Sequence, residues 1–293
     1  MPLFSVNSVI TGLTAGWSAH AVLLRWFRRW LVMVLGWVLA VAAVQAQPAS
    51  AKDGNESKGS MVTVAAASDL KFALEELVPL FEKASGHRVK LVLGSSGNLY
   101  AQIAQGAPFQ VFMSADEGFV FRLADAGKTR DRGRLYALGR IGLMVPHGSP
   151  LQADGELKDL AAALKDGRLK RLAIANPEHA PYGMRAKEAL QHAGLWADIQ
   201  PRLVLGENIS QAAQFATSGS AQGGIVAQSL ALAPQVGRLG RFALIPANWH
   251  QPLTQRMVVL KDAPPAAQAW DAFLASNASL EIMRRYGFDV PRP

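Results

Sequence analysis

The 293-residue sequence contains no cysteine. That excludes disulfides, thiol chemistry and cysteine-based metal sites, and it excludes a lipid attached through cysteine. Stability must then come from the core, which a chain of this size can supply. The sequence also lacks the common signatures of catalysis. No His-x-x-x-His pair, no Gly-x-Ser-x-Gly elbow and no Walker A spacing with its lysine occurs. Concentrated runs of Lys and Arg with interleaved aromatics are missing, which argues against nucleic acid as a partner. No apolar run reaches the roughly 20 residues that a membrane-spanning helix needs. The first 46 residues contain neither lysine nor any acid.

What that opening segment does contain is Arg25, Arg28 and Arg29, then an apolar run from Leu31 to Val44, then small residues. A positive flank, a short apolar run and a small-residue site are the parts of a secretory signal peptide. Residues 1–46 are read as that signal, cleaved after Val44-Gln45-Ala46, with Ala49-Ser50-Ala51 as the competing site and an uncleaved anchor as the alternative. Residues 47–60 are polar and rich in Ser and Gly, and read as a flexible tether. The formal net charge of the whole chain is +8. The part after the leader remains modestly basic, which favours anionic partners without naming one.

From residue 61 the pattern alternates. Met61–Ala67 reads as a buried strand. A helix follows with Leu70, Ala73, Leu74, Leu77, Leu80 and Phe81 on one face, Ser68 as its N-cap, and Pro79 expected to kink or shorten it. A strand over 89–93 leads through Gly94-Ser95-Ser96-Gly97 into a helix capped by Asn98. A strand over 111–115 leads to a helix opening at Asp116-Glu117. After a strand over 140–145 the alternation repeats, with strands over 171–175, 202–205 and 224–227. A strand over 256–260 and one last helix over 271–286 close the chain. Repeated strand, loop and helix predict an α/β fold with mostly parallel sheets. The returning strand and helix predict two lobes joined by two crossings.

Four of the strand-to-helix loops are small or amide-like: Ala67-Ser68-Asp69, Gly94-Ser95-Ser96-Gly97, Ala180-Pro181-Tyr182-Gly183 and Glu207-Asn208-Ile209-Ser210. A helix N-terminus carries unpaired N–H groups and partial positive charge. In parallel α/β sheets such ends gather at the carboxyl edge of the strands, where ligands sit. Several of them aimed at one point make an anion site without a cationic side chain. Each residue also has a plain role open to it. Ser68 and Asn208 could be ordinary caps, Ser114 and Asp116 a strand end and a helix cap, and Glu178 and His179 solvated loop residues.

The segments VAAASDLKFALEEL, GSSGNLYAQIAQGAPFQVFMSADE, IANPEHAPYGMRAKEAL and the terminal RRYGFDVP resemble the periplasmic molybdate-binding proteins of ABC transporters, in the right order across residues 61–293. The resemblance implies a two-lobed periplasmic-binding-protein fold of type II. Lobe 1 would hold 61–140 and 256–293, and lobe 2 would hold 141–255, with hinge crossings near 138–142 and 250–256. It implies a bare tetrahedral oxyanion, molybdate or tungstate, carried unchanged by a periplasmic monomer to a membrane permease, with no cofactor. It points to Ser68 and to Ser96 by both hydroxyl and N–H. It also points to the N–H of Tyr182 and of Ile209, with Asp69 and Ser95 less firmly placed. Some members carry a ligand-binding Tyr where this chain has Ala227, so that donor is missing and the Tyr182 hydroxyl becomes a candidate to replace it. The Asp69 carboxylate, beside an expected dianion, should turn away and cap or solvate its helix.

A site of donors only suits an ion that has acceptors only, whereas hydrogen phosphate would also want an acceptor. Two other readings remain at this level. One is a binding protein for sulfate or phosphate. The other is an exported serine hydrolase, with Ser96 or Ser114 joined by a histidine on folding.

Overall fold

The computed structural model describes residues 59–290; the segments read above as signal peptide and tether lie outside them through residue 58. The described chain runs β1 (Met61–Ala67), a 3-10 turn (Ser68–Leu70), α1 (Lys71–Ser85), β2 (Arg88–Gly94), α2 (Ser96–Ala104), β3 (Val111–Ser114), α3 (Glu117–Asp125) and β4 (Arg134–Gly139). It continues with β5 (Ile141–Pro146), α4 (Lys158–Lys165), β6 (Leu172–Ala175), α5 (Pro181–His192), α6 (Trp196–Ile199), β7 (Leu203–Gly206), α7 (Ile209–Thr217) and β8 (Gly224–Ala227). Two short helices, α8 (Gln228–Ala231) and α9 (Pro234–Gly237), lead to β9 (Gly240–Leu244), β10 (Leu253–Val259), α10 (Pro265–Leu274) and α11 (Asn277–Arg285).

The strands form two five-stranded sheets with the same layout, β2-β1-β3-β10-β4 and β7-β6-β8-β5-β9. Both are mixed rather than mostly parallel in their pairing. β1 pairs in parallel with β2 and β3, and β10 runs antiparallel between β3 and β4. β6 pairs in parallel with β7 and β8, and β5 runs antiparallel between β8 and β9. The reversed strand of each sheet is the one that enters from the other sheet. β5 arrives from β4 through Arg140 alone, and β10 returns from β9 through a turn at Ala247–Trp249. β10 starts at Leu253, three residues before the strand expected over 256–260.

The first sheet is covered on both faces. Leu74, Leu77 and Phe81 of α1 pack with Trp270 of α10 and Met283 of α11 on one side. The Phe81 and Trp270 rings meet edge to face, 5.0 Å between centroids. Leu99 and Ile103 of α2 pack with Val120 and Leu123 of α3 on the other. The second sheet has its own core around Leu143, Ile174 and Ile225, with Leu160, Leu190 and Ala212 from its helices.

Several local expectations change. β4 and β9 are edge strands absent from the sequence reading; edge position leaves them partly exposed and hides their period. α1 runs through Pro79 to Ser85 and ends at Gly86, whose φ of 71° is left-handed. Pro79 and Glu75 both lie on the exposed face, so water can take the Glu75 carbonyl that proline leaves without a donor. Leu80, expected with the buried stripe, follows Pro79 onto this exposed face, one position before the buried Phe81. Asn98 does not cap α2; Ser95 does, accepting the Asn98 N–H at 3.4 Å. The terminal helix is two helices, broken where Ser276 caps α11.

Candidate functional site

The carboxyl ends of β1, β2, β6 and β7 face one another between the sheets, and the loops after them line a narrow gap. All six residues singled out in the sequence line it: Ser68, Asp69, Ser95, Ser96, Tyr182 and Ile209, with Gly94, Ala115 and Ala180 among the rest. No Lys or Arg is among the lining residues. Ser96, Tyr182 and Ile209 stand in the first turns of α2, α5 and α7, where amide N–H groups lack an intrahelical acceptor. Two of those helices belong to the second sheet and one to the first, so the partial positive charge of three termini converges from both sides.

Ser96 is fully buried, and its Oγ accepts the N–H of Ala115 at 2.9 Å. That bond occupies a lone pair and leaves the hydroxyl proton free to be donated. Ser95 is turned elsewhere: its Oγ caps α2 and meets His179 Nδ1 at 2.9 Å. His179 is therefore no solvated loop residue. Its ring sits between Ser95 and Glu207 (Nε2 to Oε2, 3.6 Å), and its carbonyl accepts the Gly97 N–H at 2.9 Å.

Ser68 does not cap α1, whose N-terminus has no side-chain cap. Its hydroxyl donates to Asn208 Oδ1 at 3.1 Å and accepts the Ser210 N–H at 3.2 Å, while Ser210 Oγ donates to the Ser68 carbonyl at 2.7 Å. Asn208 keeps its expected role, accepting the Gln211 N–H as the cap of α7. Asp116 likewise caps α3, and Ser114 Oγ donates to the Asp116 carbonyl at 2.6 Å.

Asp69 overturns its expectation. Its side chain neither caps nor meets solvent; the residue is 1 % exposed. Oδ2 accepts the Tyr182 hydroxyl at 2.9 Å and the Gln255 amide at 2.7 Å. The Gln255 amide also donates to the Tyr182 oxygen at 2.9 Å. Burial pushes the Asp69 carboxyl up to about 6, against the pull of the Gln255 and Tyr182 hydrogen bonds and weaker help from the N–H groups of Asp69 and Leu70. Burial and the Asp69 charge hold the Tyr182 phenol well above its usual range, so it stays protonated and can donate. The Tyr182 hydroxyl is thus committed to Asp69 and does not replace the donor missing at Ala227, which ends β8 opposite Ile141.

Gln255 was missed in the sequence, yet a signal was there. It lies between Leu253 and Met257 at the spacing of one strand face, a polar side chain at an apolar position, and all three are buried. The hydrolase geometry does not form: Ser96 and Ser114 are bonded to backbone groups, not to a histidine. Ser95 has one, but its oxygen is the α2 cap.

Two α/β lobes closed over a small gap of helix N-termini and hydroxyls, with no cation in the wall, make a carrier of small anionic solutes. The family model described as bacterial extracellular solute-binding protein matches residues 62–289. The molybdate-binding protein ModA of Rhodobacter capsulatus is 36% identical over 230 residues, covering 78% of this chain and 87% of its own. The ModA of Azotobacter vinelandii is 34% identical over 268 residues, covering 89% and 97%. The solved periplasmic molybdate-binding protein of Azotobacter vinelandii superposes with a TM-score of 0.70 at 30% identity, covering 79% of this chain and all of that one. The chain belongs to the ModA family of bacterial extracellular solute-binding proteins. These relatives are named as binding proteins, not as enzymes.

Proposed function

We propose that this chain binds molybdate in the interlobe gap and delivers it unchanged to the membrane permease of an ABC importer. The observation that carries the reading is the Ser96 hydroxyl: fully buried on the gap wall, its oxygen taken by Ala115, its proton free, beside three helix N-termini and no cation. A dianion with four acceptor oxygens is the ligand such a wall satisfies. In this reading Ser96 donates through hydroxyl and N–H, and Tyr182 and Ile209 donate through N–H. The Ser68 proton swings from Asn208 to the anion, and Ser95 holds its loop. Tungstate, with the same charge and shape, is carried too.

The protein works as a monomer, exported to the periplasm by its leader. Residues 61–140 and the chain from Leu253 through residue 290 form one moving lobe and 141–252 the other, hinged near 138–142 and 250–256. The second boundary lies three residues earlier than expected because β10 pairs with β4 from Leu253 on; the strand handovers at Arg140 and before Leu253 support this division. The bonds from Ser68 to Asn208, Gly97 to His179 and Asp69 to Tyr182 cross the gap and hold the closed form. Calorimetric titration with molybdate in the presence of excess sulfate tests the reading. Tight binding that sulfate fails to suppress is expected; equal competition by sulfate rejects molybdate as the ligand.

A further inference from the structure

Asp69 puts a buried carboxyl on the wall of a site suited to a dianion. Both side-chain donors that reach it, Tyr182 from α5 and Gln255 from β10, use Oδ2. Oδ1 is buried and has no hydrogen-bond partner. The other faces of the cluster bring no cation to the carboxyl. Tyr136 of β4 is fully buried nearby and donates to the Ser114 carbonyl at 3.4 Å. Ser229 of α8 donates to the Asp69 carbonyl at 2.9 Å. Arg134, whose charge is felt at Tyr136, is engaged with Asp271 at 2.6 Å. Tyr136 and Tyr182 are both held protonated by burial and by the charge of Asp69. Within this cluster Asp69 is the group that can change charge near neutrality.

We propose that the protein takes up its oxyanion together with one proton, which Asp69 holds on Oδ1 while the cleft is closed. The inference rests on reading the gap as an oxyanion site. With Oδ2 already accepting two hydrogen bonds, Oδ1 is the free oxygen, and once protonated it changes from an orphaned acceptor into a donor. A dianion and a carboxylate sharing one water-excluded gap repel each other strongly. Burial raises the carboxyl even before an anion is considered, and the anion raises it further. Without the anion the carboxyl, at about 6, is mostly ionised at about pH 7.5. The proton comes from solvent on closing and returns to it on opening, and no bond within the anion changes.

The test titrates the purified protein with sodium molybdate in two buffers of equal pH, near 7.5, and different ionisation enthalpy. The buffer-dependent heat should report uptake of about one proton per molybdate, and the Kd should weaken by about tenfold per pH unit above neutrality. Asp69→Asn, whose amide can still accept from Tyr182 and Gln255, should bind molybdate with no proton uptake and a flat pH profile. Binding by the wild type without buffer-dependent heat overturns the inference and leaves the oxyanion reading standing, as does equal uptake by the Asn variant. If molybdate gives no binding heat at all, the reading of the gap falls and the inference with it. Should Asp69→Asn fail to fold, the wild-type buffer pair decides alone.

Discussion

A serine hydroxyl has one proton to give, and at Ser96 an amide decides where it goes. Because the Ala115 N–H occupies the oxygen, Ser96→Ala removes a donor from the gap and also leaves a buried N–H without its acceptor. Losing one hydrogen bond to a charged group costs about 1–3 kcal/mol, so molybdate should bind roughly 5- to 150-fold more weakly, measurable by calorimetry. Asp69 makes a second prediction, in stability. Its carboxyl moves from 3.8 to about 6 on folding, so the folded state binds the proton more tightly than the unfolded state. The resulting stabilisation is complete below pH 3.8, the unfolded value, and is lost as pH rises through about 6. Above that pH the ligand-free protein carries an unfavourable charge worth on the order of 3 kcal/mol. Asp69→Asn should therefore raise the melting temperature at about pH 7.5 and gain little at about pH 4. Thermal melts at the two pH values check the sign. The wall residues were legible in the sequence because caps and small loops are local signals. The role of Asp69 was not, since Gln255 reaches it across 186 residues.

At the scale of elements, the loop into α2 does three jobs in three residues. Ser95 caps the helix and touches His179, Ser96 opens its first turn toward the gap, and Gly97 lies against the opposite lobe. A Cβ on Gly97 would stand 2.5 Å from the His179 carbonyl oxygen, which is backbone and cannot swing aside. Gly97→Ala should leave the fold of each lobe intact but hold the cleft ajar. The expected result is an unchanged far-UV spectrum, a larger radius of gyration with molybdate present than the wild type shows, and a higher Kd. A wild-type scattering profile in saturating molybdate would count against closure through this contact. This glycine was visible in the sequence as part of an unusual loop, but the reason for it lies in a loop more than 80 residues away. Elements with two buried faces or a clear helical stripe were equally visible. β4 and β9, at sheet edges, carry no such pattern, and the division of the last helix turned on the single cap at Ser276.

The described part of the molecule is two copies of one sheet layout, each completed by a strand lent from the crossing. Alternation in the sequence identified the α/β class and the two lobes, but not the reversed strands, because strand direction depends on where the chain crosses and not on residue type. The lobes meet at the gap through polar contacts, including Arg185 to Asp116 at 3.6 Å, and through a few small apolar residues such as Ala67 and Ala115, a lighter join than either lobe's own core. An anion held between them should therefore act as the missing core of the closed form, binding the native state and not the unfolded chain. At a ligand concentration about 100 times the Kd, that linkage adds about 2.7 kcal/mol. For a domain of this size each kcal/mol is worth about 2–4 °C, so saturating molybdate should raise the melting temperature by roughly 5–10 °C. Sulfate at the same concentration should move it much less, since a gap fitted to the longer metal–oxygen bonds leaves a smaller anion short of donors on at least one side. Ser96→Ala and Gly97→Ala should each shrink the molybdate shift; Ser96→Ala should also lower the ligand-free midpoint by a few degrees, because it leaves the buried Ala115 N–H unpaired. A shift of equal size with both anions would mean that the gap recognises charge and shape without measuring the length of the bonds inside the ion.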